Sequence, residues 1–469
     1  MRWSEDALYA RFLRRDPADN GKFLTGVLTT GIYCLPSCPA RRPKRENVRF
    51  FRSPDEARKI GLRPCHRCRP DSFYRGEEWH EHLYEQTADR ARQDPAACAD
   101  VGQLAAIAGL SRSALADLFR EHGHESPGAF LRRIRVRRAC ELLRGGAKPA
   151  DAAQEAGFES SSAFHEQFVA RTGLTPAAYG ALGREFTMRL PARYRLREVL
   201  DFYGRDTESV SEKAGAATLL KCVLVENRPA LIQIEFSGDA ARCSADCDPF
   251  TAHEMAVRML GIDSDAAGFE RQFAGDALLG SLIVRQKGLR IPMSPEPWEA
   301  LAWAIAGQQI SLKMAVRLRR ELIASAGAPH PSGLYAHPSA EAVAALDSVS
   351  LTTLGFSRSK AEYLLAAAQA VCGGALPLDS LRLLSARRAG RMMSAIRGIG
   401  PWTVQYTLLR GLGFADCLPS GDAGLAQGID RIRGERPAEP EIRELMARYS
   451  PWRSLATYHV WASLKGESA

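Results

Sequence analysis

The chain has 469 residues, 45% of them hydrophobic and 25% charged, with a formal net charge of +9. That composition suits a globular protein of about three or four domains, and it excludes a collagen-like, disulfide-scaffold or wholly disordered chain. No run of about 18 apolar residues occurs, and the opening Met1-Arg2-Trp3-Ser4-Glu5-Asp6 lacks the order of a secretory signal. A cytoplasmic protein without membrane contact is expected.

The charge is unevenly placed. Residues 1–75 hold 17 Lys/Arg against 8 Asp/Glu, which accounts for the whole net charge, and the remainder is neutral overall. A basic head on a neutral body suits docking of an anionic polymer, and a merely solvated basic domain fits the charge equally well. The 11 cysteines are an odd number, so disulfides are not the default reading. Four of them group as Cys34-x3-Cys38 and Cys65-x2-Cys68, with 26 residues between the pairs. Two short-spaced pairs bring four thiolates to a tetrahedron, which favours one zinc ion, and so small a domain would depend on the metal for folding. Spacing alone favours a closed, purely structural zinc site. The other seven cysteines, Cys98, Cys140, Cys222, Cys243, Cys247, Cys372 and Cys417, show no comparable grouping.

The residues around the quartet say more. The stretch 23–43, FLTGVLTTGIYCLPSCPARRP, together with Glu46-Asn47-Val48-Arg49-Phe50-Phe51 and Gly61-Leu62-Arg63-Pro64-Cys65-His66-Arg67-Cys68, resembles the zinc domain of the Ada family. The resemblance covers about residues 4–75. It implies that Cys34 irreversibly accepts a methyl group from a DNA methylphosphotriester, with zinc both holding the fold and keeping the sulfur a thiolate. The acceptor would be consumed, so the repair is stoichiometric. Four thiolates on a divalent ion carry a formal charge of about −2, which methylation reduces to about −1; weaker repulsion of phosphate would then strengthen DNA binding and promote transcriptional activation. The family's DNA-contacting positions fall on Thr30, Arg41 and Arg63, while Pro39 stands where the family has a further arginine. Pro64-Cys65-His66-Arg67 reads like the active-site motif of O6-alkylguanine methyltransferases, but it lies inside the quartet and has no second copy downstream. The guanine-repair half of some Ada proteins is expected to be missing.

Next comes a repeated helical unit. Residues 101–111, VGQLAAIAGLS, with Leu115 and Phe119 read as helix, glycine turn, helix, with Ser111 as N-cap. The pattern recurs in Ala152-Ala153-Gln154-Glu155-Ala156-Gly157-Phe158 with Phe164 and Phe168; Ser126-Pro127 and Thr175-Pro176 close the two copies. The basic segment between them, Phe130–Arg138, has the apolar spacing of a buried linker helix, with Arg133–Arg138 read as a solvated or phosphate-facing surface. Two copies joined this way resemble the AraC-family DNA-binding domain over about residues 86–182. Recognition helices would start near Ser111 and Ser160 and enter successive major grooves.

Residues about 187–292 contain short apolar runs, at 219–225 and 230–236, that read as strands before a helix around His253–Leu260. From Pro295 onward the pattern is helical. In Arg397-Gly398-Ile399-Gly400-Pro401-Trp402, a Gly-x-Gly hairpin opens a helix and exposes N–H groups to a DNA phosphate. Asp422, in Leu418-Pro419-Ser420-Gly421-Asp422-Ala423, fits an ordinary helix N-cap. Hairpin, loop and aspartate together resemble the helix-hairpin-helix DNA glycosylases. Residues 301–311, LAWAIAGQQIS, with Pro451-Trp452-Arg453-Ser454 and His459-Val460-Trp461, narrow the resemblance to AlkA-type 3-methyladenine glycosylases over about 187–469.

That resemblance implies a flipped-out nucleotide, an aromatic pocket of Trp402, Tyr406 and Trp461 for a cationic base, and Asp422 as the catalytic carboxylate. Gln309 occupies the wedge position, which is leucine in some relatives; Gly398 and Gly400 hold DNA. Trp402 stands where lyase relatives carry a Schiff-base lysine, so the enzyme is expected to be monofunctional. The last cysteine is Cys417, so no iron–sulfur cluster is expected. Partners would be double-stranded DNA, alkylated and promoter, and RNA polymerase.

The expected fold class is multidomain and mainly α. A small α+β zinc domain (1–76) precedes an AraC-type double helix-turn-helix (86–182), an AlkA-like α+β domain (187–292) and an all-α helix-hairpin-helix glycosylase domain (293–469). Two rivals remain: a methylation-responsive regulator whose C-terminal half only binds DNA, and a glycosylase for a different lesion.

Overall fold

The computed structural model describes residues 3–38, 40–76 and 78–464. Pro39 lies outside them. The backbone falls into two compact units, residues 1–86 and 87–469.

In the first unit four short strands, β1 (Leu24–Val27), β2 (Ile32–Cys34), β3 (Val48–Phe51) and β4 (Arg63–Pro64), form a sheet in the order β3-β1-β2-β4. The helix Glu5–Arg14 is capped by Ser4 and contributes Phe12 to an apolar cluster with Phe23 and Val48. β4 runs parallel to β2, pairing Ile32 with Arg63 and Tyr33 with Pro64. The next residue on each strand is a cysteine, so this register sets Cys34 beside Cys65.

The second unit begins with both helix-turn-helix copies. The recognition helices run Arg112–Gly123 and Ser161–Thr172; Ser111 and Ser160 cap them by accepting from Ala114 N at 3.3 Å and Ala163 N at 3.2 Å. The linker helix is Pro127–Arg144. Its arginines are in part internal struts rather than the free surface expected: Arg135 donates to the Cys98 and Ala99 carbonyls at 2.6 and 2.7 Å, and Arg133 pairs with Glu125. A guanidinium on a half-buried helix face finds orphan carbonyls within reach, and sequence period cannot foresee them.

Five antiparallel strands follow: β5 (Glu185–Arg189), β6 (Glu212–Ala214), β7 (Thr218–Val225), β8 (Arg228–Ser237) and β9 (Ala240–Ala245), in the order β5-β9-β8-β7-β6. The second helix-turn-helix copy has no core separate from this sheet. Phe164, Phe168 and Tyr179 share one buried cluster with Phe186, Met188 and Ile234. His253 Nε2, buried on the helix Pro249–Leu260, lies 2.7 Å from the Thr172 carbonyl at the end of the second recognition helix. The first copy also docks: His124 packs edge-on against Phe414 at 5.5 Å, and Arg387 pairs with Glu121 at 2.8 Å.

A buried ionic cluster joins sheet to helices. Lys221 on β7 reaches Glu212 on β6 at 2.9 Å and Glu299 at 3.0 Å; Arg319 holds Glu212 through two bonds of 2.7 and 2.8 Å and Glu299 at 2.7 Å. Burial works to raise both carboxyls, but the two cations overcome it and hold Glu299 down at about 2. Glu299 and Arg319 lie on the helices Pro297–Ala306 and Leu312–Ala326, which flank the Gln309 loop.

Three buried histidines and the half-buried His124 are expected to make the second unit acid-sensitive. Burial pushes His124, His253 and His337 down to about 4 and His459 to about 3. Each folded value lies below the unfolded one, so the stability is complete above pH ~6.5 and lost as pH falls toward 4. Urea titrations across that window should show the unfolding midpoint dropping well before carboxylates protonate. Each histidine that stays neutral contributes a slope approaching about 1.4 kcal/mol per pH unit. A flat midpoint from pH 6.5 to 4.5 would contradict this.

Candidate functional site

In the first unit the Sγ atoms of Cys34, Cys38, Cys65 and Cys68 all lie within 4.8 Å of one another, and all four residues are buried. Cys34 ends β2, Cys65 follows β4, and the turns at 35–38 and 65–69 close through Cys38 N to Leu35 O (3.1 Å) and Arg69 N to Cys65 O (2.9 Å). The Leu35 N–H donates to Cys68 Sγ at 3.3 Å. The thiols cannot all ionise by themselves. Shared hydrogen bonds with Cys38 and Cys65 push Cys34 up, while bonds from Cys34, Cys38 and Cys68 hold Cys65 down. A divalent cation with a preference for sulfur relieves that crowding, so the donor set fits zinc.

Purified protein is expected to carry one zinc per chain, lost in Cys65→Ser together with the fold of the first unit. Metal analysis paired with limited proteolysis checks this; a metal-free variant with an intact first unit would contradict it. Thr30, Arg41 and Arg63 are all exposed. Thr30 lies in the β1–β2 turn, and Arg63 N donates to the Gly31 carbonyl at 2.8 Å, so these two share one end of the sheet. Arg41 stands on the loop after Cys38.

The second unit holds a cleft of about 1990 Å³, lined by Gln309, Gly398, Gly400, Trp402, Tyr406, Asp422 and Trp461 among others. Trp402 and Tyr406, four apart on the helix Pro401–Thr407, stack with centroids 5.2 Å apart; Trp461, on the helix Arg453–Ser463, lies 6.4 Å from Tyr406. Asp422 is the N-cap of the helix Ala423–Arg433, its Oδ1 accepting from Leu425 N at 2.7 Å. Both indoles also donate to this carboxylate: Trp461 to Oδ1 at 2.8 Å and Trp402 to Oδ2 at 2.9 Å. The cap and the aromatic pocket are therefore one hydrogen-bonded assembly.

The hairpin is tightly built. Gly398 has φ +86°, and a Cβ there would lie 2.0 Å from the Tyr363 ring, so glycine is required on both counts. Gln309 is exposed with φ +55°, a left-handed backbone that costs a non-glycine residue about 1 kcal/mol. Its neighbour Gln308 donates to Gly398 O at 2.8 Å and Thr403 Oγ1 at 3.0 Å, tying the Gln309 loop to the hairpin. Sequence reading missed Gln308, although it lies inside the quoted Gly307-Gln308-Gln309 run. It also missed Arg205 and Arg410, which no local motif announces.

Three family models match in chain order: the metal binding domain of Ada over residues 7–71, a helix-turn-helix domain over 104–181, and the HhH-GPD superfamily base excision DNA repair protein over 302–452. A Mycobacterium tuberculosis protein named "Probable bifunctional transcriptional activator/DNA repair enzyme AlkA" is 28% identical over 487 residues, covering 97% of this chain and 96% of that one. A Bacillus subtilis DNA-3-methyladenine glycosylase is 31% identical over 208 residues, covering 43% of this chain and 69% of its own. Among solved structures, the 3-methyladenine DNA-glycosylase of Archaeoglobus fulgidus shares the fold, with a TM-score of 0.55 and 21% identity, covering 60% of this chain and 99% of that one.

Fold and domain order thus define a DNA repair protein in which a metal-binding domain and a DNA reader precede an HhH-GPD module. The chain belongs to the DNA-3-methyladenine glycosylase family of the HhH-GPD superfamily. Among the described residues, no helix is long and apolar enough to cross a membrane.

Proposed function

We propose that this chain is a DNA alkylation-repair protein and adaptive-response regulator acting in the cytoplasm, organised as domains 1–76, 86–182, 187–292 and 293–469. Its C-terminal half hydrolyses the N-glycosidic bond of alkylated bases such as 3-methyladenine. One observation carries this reading: a carboxylate, Asp422, held by two indoles at an aromatic cleft.

A cationic flipped base would be attracted to the faces of Trp402, Tyr406 and Trp461 by about 0.5–2 kcal/mol. Bond cleavage builds positive charge on the sugar, which Asp422 stabilises while orienting water. Oδ2 accepts only from Trp402 among the described residues, which leaves it a lone pair for that task. Gln309 would fill the hole left by the base, and Gly398 and Gly400 would hold phosphate. Trp402 offers no amine for a Schiff base, so the enzyme works as a monofunctional hydrolase without an iron–sulfur cluster.

In the first unit Cys34 Sγ attacks the methyl carbon of a DNA methylphosphotriester. An S–CH3 bond forms as the C–O bond breaks, and a phosphodiester leaves, with one turnover per chain. Zinc, when bound, keeps the cysteine sulfurs as thiolates. Thr30, Arg41 and Arg63 contact the DNA, and the methylated protein activates transcription through promoter DNA and RNA polymerase. The decisive experiment is chromatographic detection of free bases released from methylated duplex DNA, comparing wild type with Asp422→Asn. Absence of release by folded, DNA-binding wild type would favour a regulator whose C-terminal half only reads DNA.

A further inference from the structure

We propose that Arg205 is a specificity-determining residue of the cleft, which donates hydrogen bonds to a ring carbonyl of the flipped base and so favours lesions with a carbonyl edge over those with an amino edge. The inference rests on the glycosylase reading above and deepens it.

Arg205 follows the helix Leu196–Tyr203 and lines the cleft. Its guanidinium carbon lies 4.0 Å from the centroid of the Trp303 ring and 4.4 Å from that of Phe202. Trp303 packs with Tyr406 in one apolar cluster, against which Trp402 and Trp461 also lie. The rings thus hold the guanidinium in place, yet it makes no hydrogen bond or ion pair among the described residues. None of its nitrogens is sealed from the cleft.

Three other arginines nearby are committed. Arg319 is spent on Glu212 and Glu299. Arg258 donates to the Pro295, Ser294 and Gly411 carbonyls. Arg410 is buried against Phe202, Tyr458 and Trp461 and donates to the Pro292 carbonyl. Arg205 alone among these four keeps its donors for something that enters.

A planar fork of N–H donors beside stacked rings matches a flat heterocycle that presents an acceptor. A carbonyl oxygen supplies that acceptor. An exocyclic amino group turns N–H groups toward N–H groups and leaves a desolvated cation unpaired, which is the costly arrangement. Positive charge on Arg205 opposes any cationic base alike, so charge by itself does not separate 7-methylguanine from 3-methyladenine; the carbonyl edge does.

Methylated duplex DNA supplies both cationic bases in one reaction, and a duplex bearing hypoxanthine supplies a neutral base with a carbonyl edge. Arg205→Met keeps a long side chain over Trp303 and removes the donors; thermal melting checks its fold. The ratio of 7-methylguanine to 3-methyladenine released should fall at least about tenfold, with hypoxanthine release falling in parallel. Arg205→Lys should lie between, because its ammonium donates without the planar fork. An unchanged ratio, with every lesion falling together alongside duplex affinity, would overturn the proposal in favour of a backbone contact. A rise of both cationic bases together would overturn it in favour of simple repulsion. If folded wild type released none of these bases, the glycosylase reading would fail and this inference with it, whereas an unaltered ratio in an active enzyme rejects the Arg205 assignment alone.

Discussion

Asp422→Asn is expected to lower the release of 3-methyladenine from methylated duplex DNA by about a hundredfold or more, with duplex binding retained. The carboxylate supplies a fixed negative charge where positive charge develops on the sugar, and the low-dielectric cleft magnifies its effect. A preorganised group of that kind is worth about 2.7–4 kcal/mol in the transition state. Asparagine keeps one acceptor oxygen for the Leu425 cap and the Trp461 indole, but its amide nitrogen then turns a donor toward the Trp402 indole N–H. That mismatch costs about 1–3 kcal/mol locally, so thermal melting must accompany the assay. Asp422→Glu provides the second arm. It keeps the charge but displaces it by a methylene, and it should retain the fold with release still reduced at least about tenfold, because geometry as well as charge is needed. Release by a folded Asp422→Asn protein at the wild-type rate would reject the assigned role.

Cys34→Ala is expected to abolish methyl uptake from methylphosphotriester DNA completely, since the acceptor atom itself is gone. The four sulfurs differ in their hydrogen bonding. Among the described residues only Cys68 accepts a backbone N–H, from Leu35, and Cys34 is the position that the Ada-type resemblance makes the acceptor. Peptide mapping of wild type after exposure to such DNA should therefore find a single methyl, on the peptide bearing Cys34. Label transfer undiminished in Cys34→Ala, or a methyl on one of the other three cysteines, would sink the assignment.

Much of this molecule is legible in the linear chain because its signals are local. The cysteine spacing, the serine caps at Ser111 and Ser160 and the Gly-x-Gly turn are all decided by residues within a few positions of each other. The strands at 218–225 and 228–237 announce themselves through short apolar runs. Asp422 is a clear N-cap from its neighbours alone. That it also accepts from Trp402 and Trp461 joins residues 20 and 39 positions away, a distance over which no periodicity speaks.

The seams between domains were illegible for the same reason. The sequence places a domain boundary between 182 and 187, but the second recognition helix is built into the sheet's own core through Phe164, Phe168 and His253. Buried surfaces of two different periods merge there, and neither pattern names its partner. Sequence by itself thus determined the domain types, their order, the four sulfurs and the hairpin, because each rests on backbone geometry or ligand spacing confined to a short segment. Only the tertiary structure decided that Arg135 is a strut, that Lys221 and Arg319 share two buried carboxylates, and that Arg205 stands uncommitted over Trp303. The worth of a charge is set by what surrounds it in space.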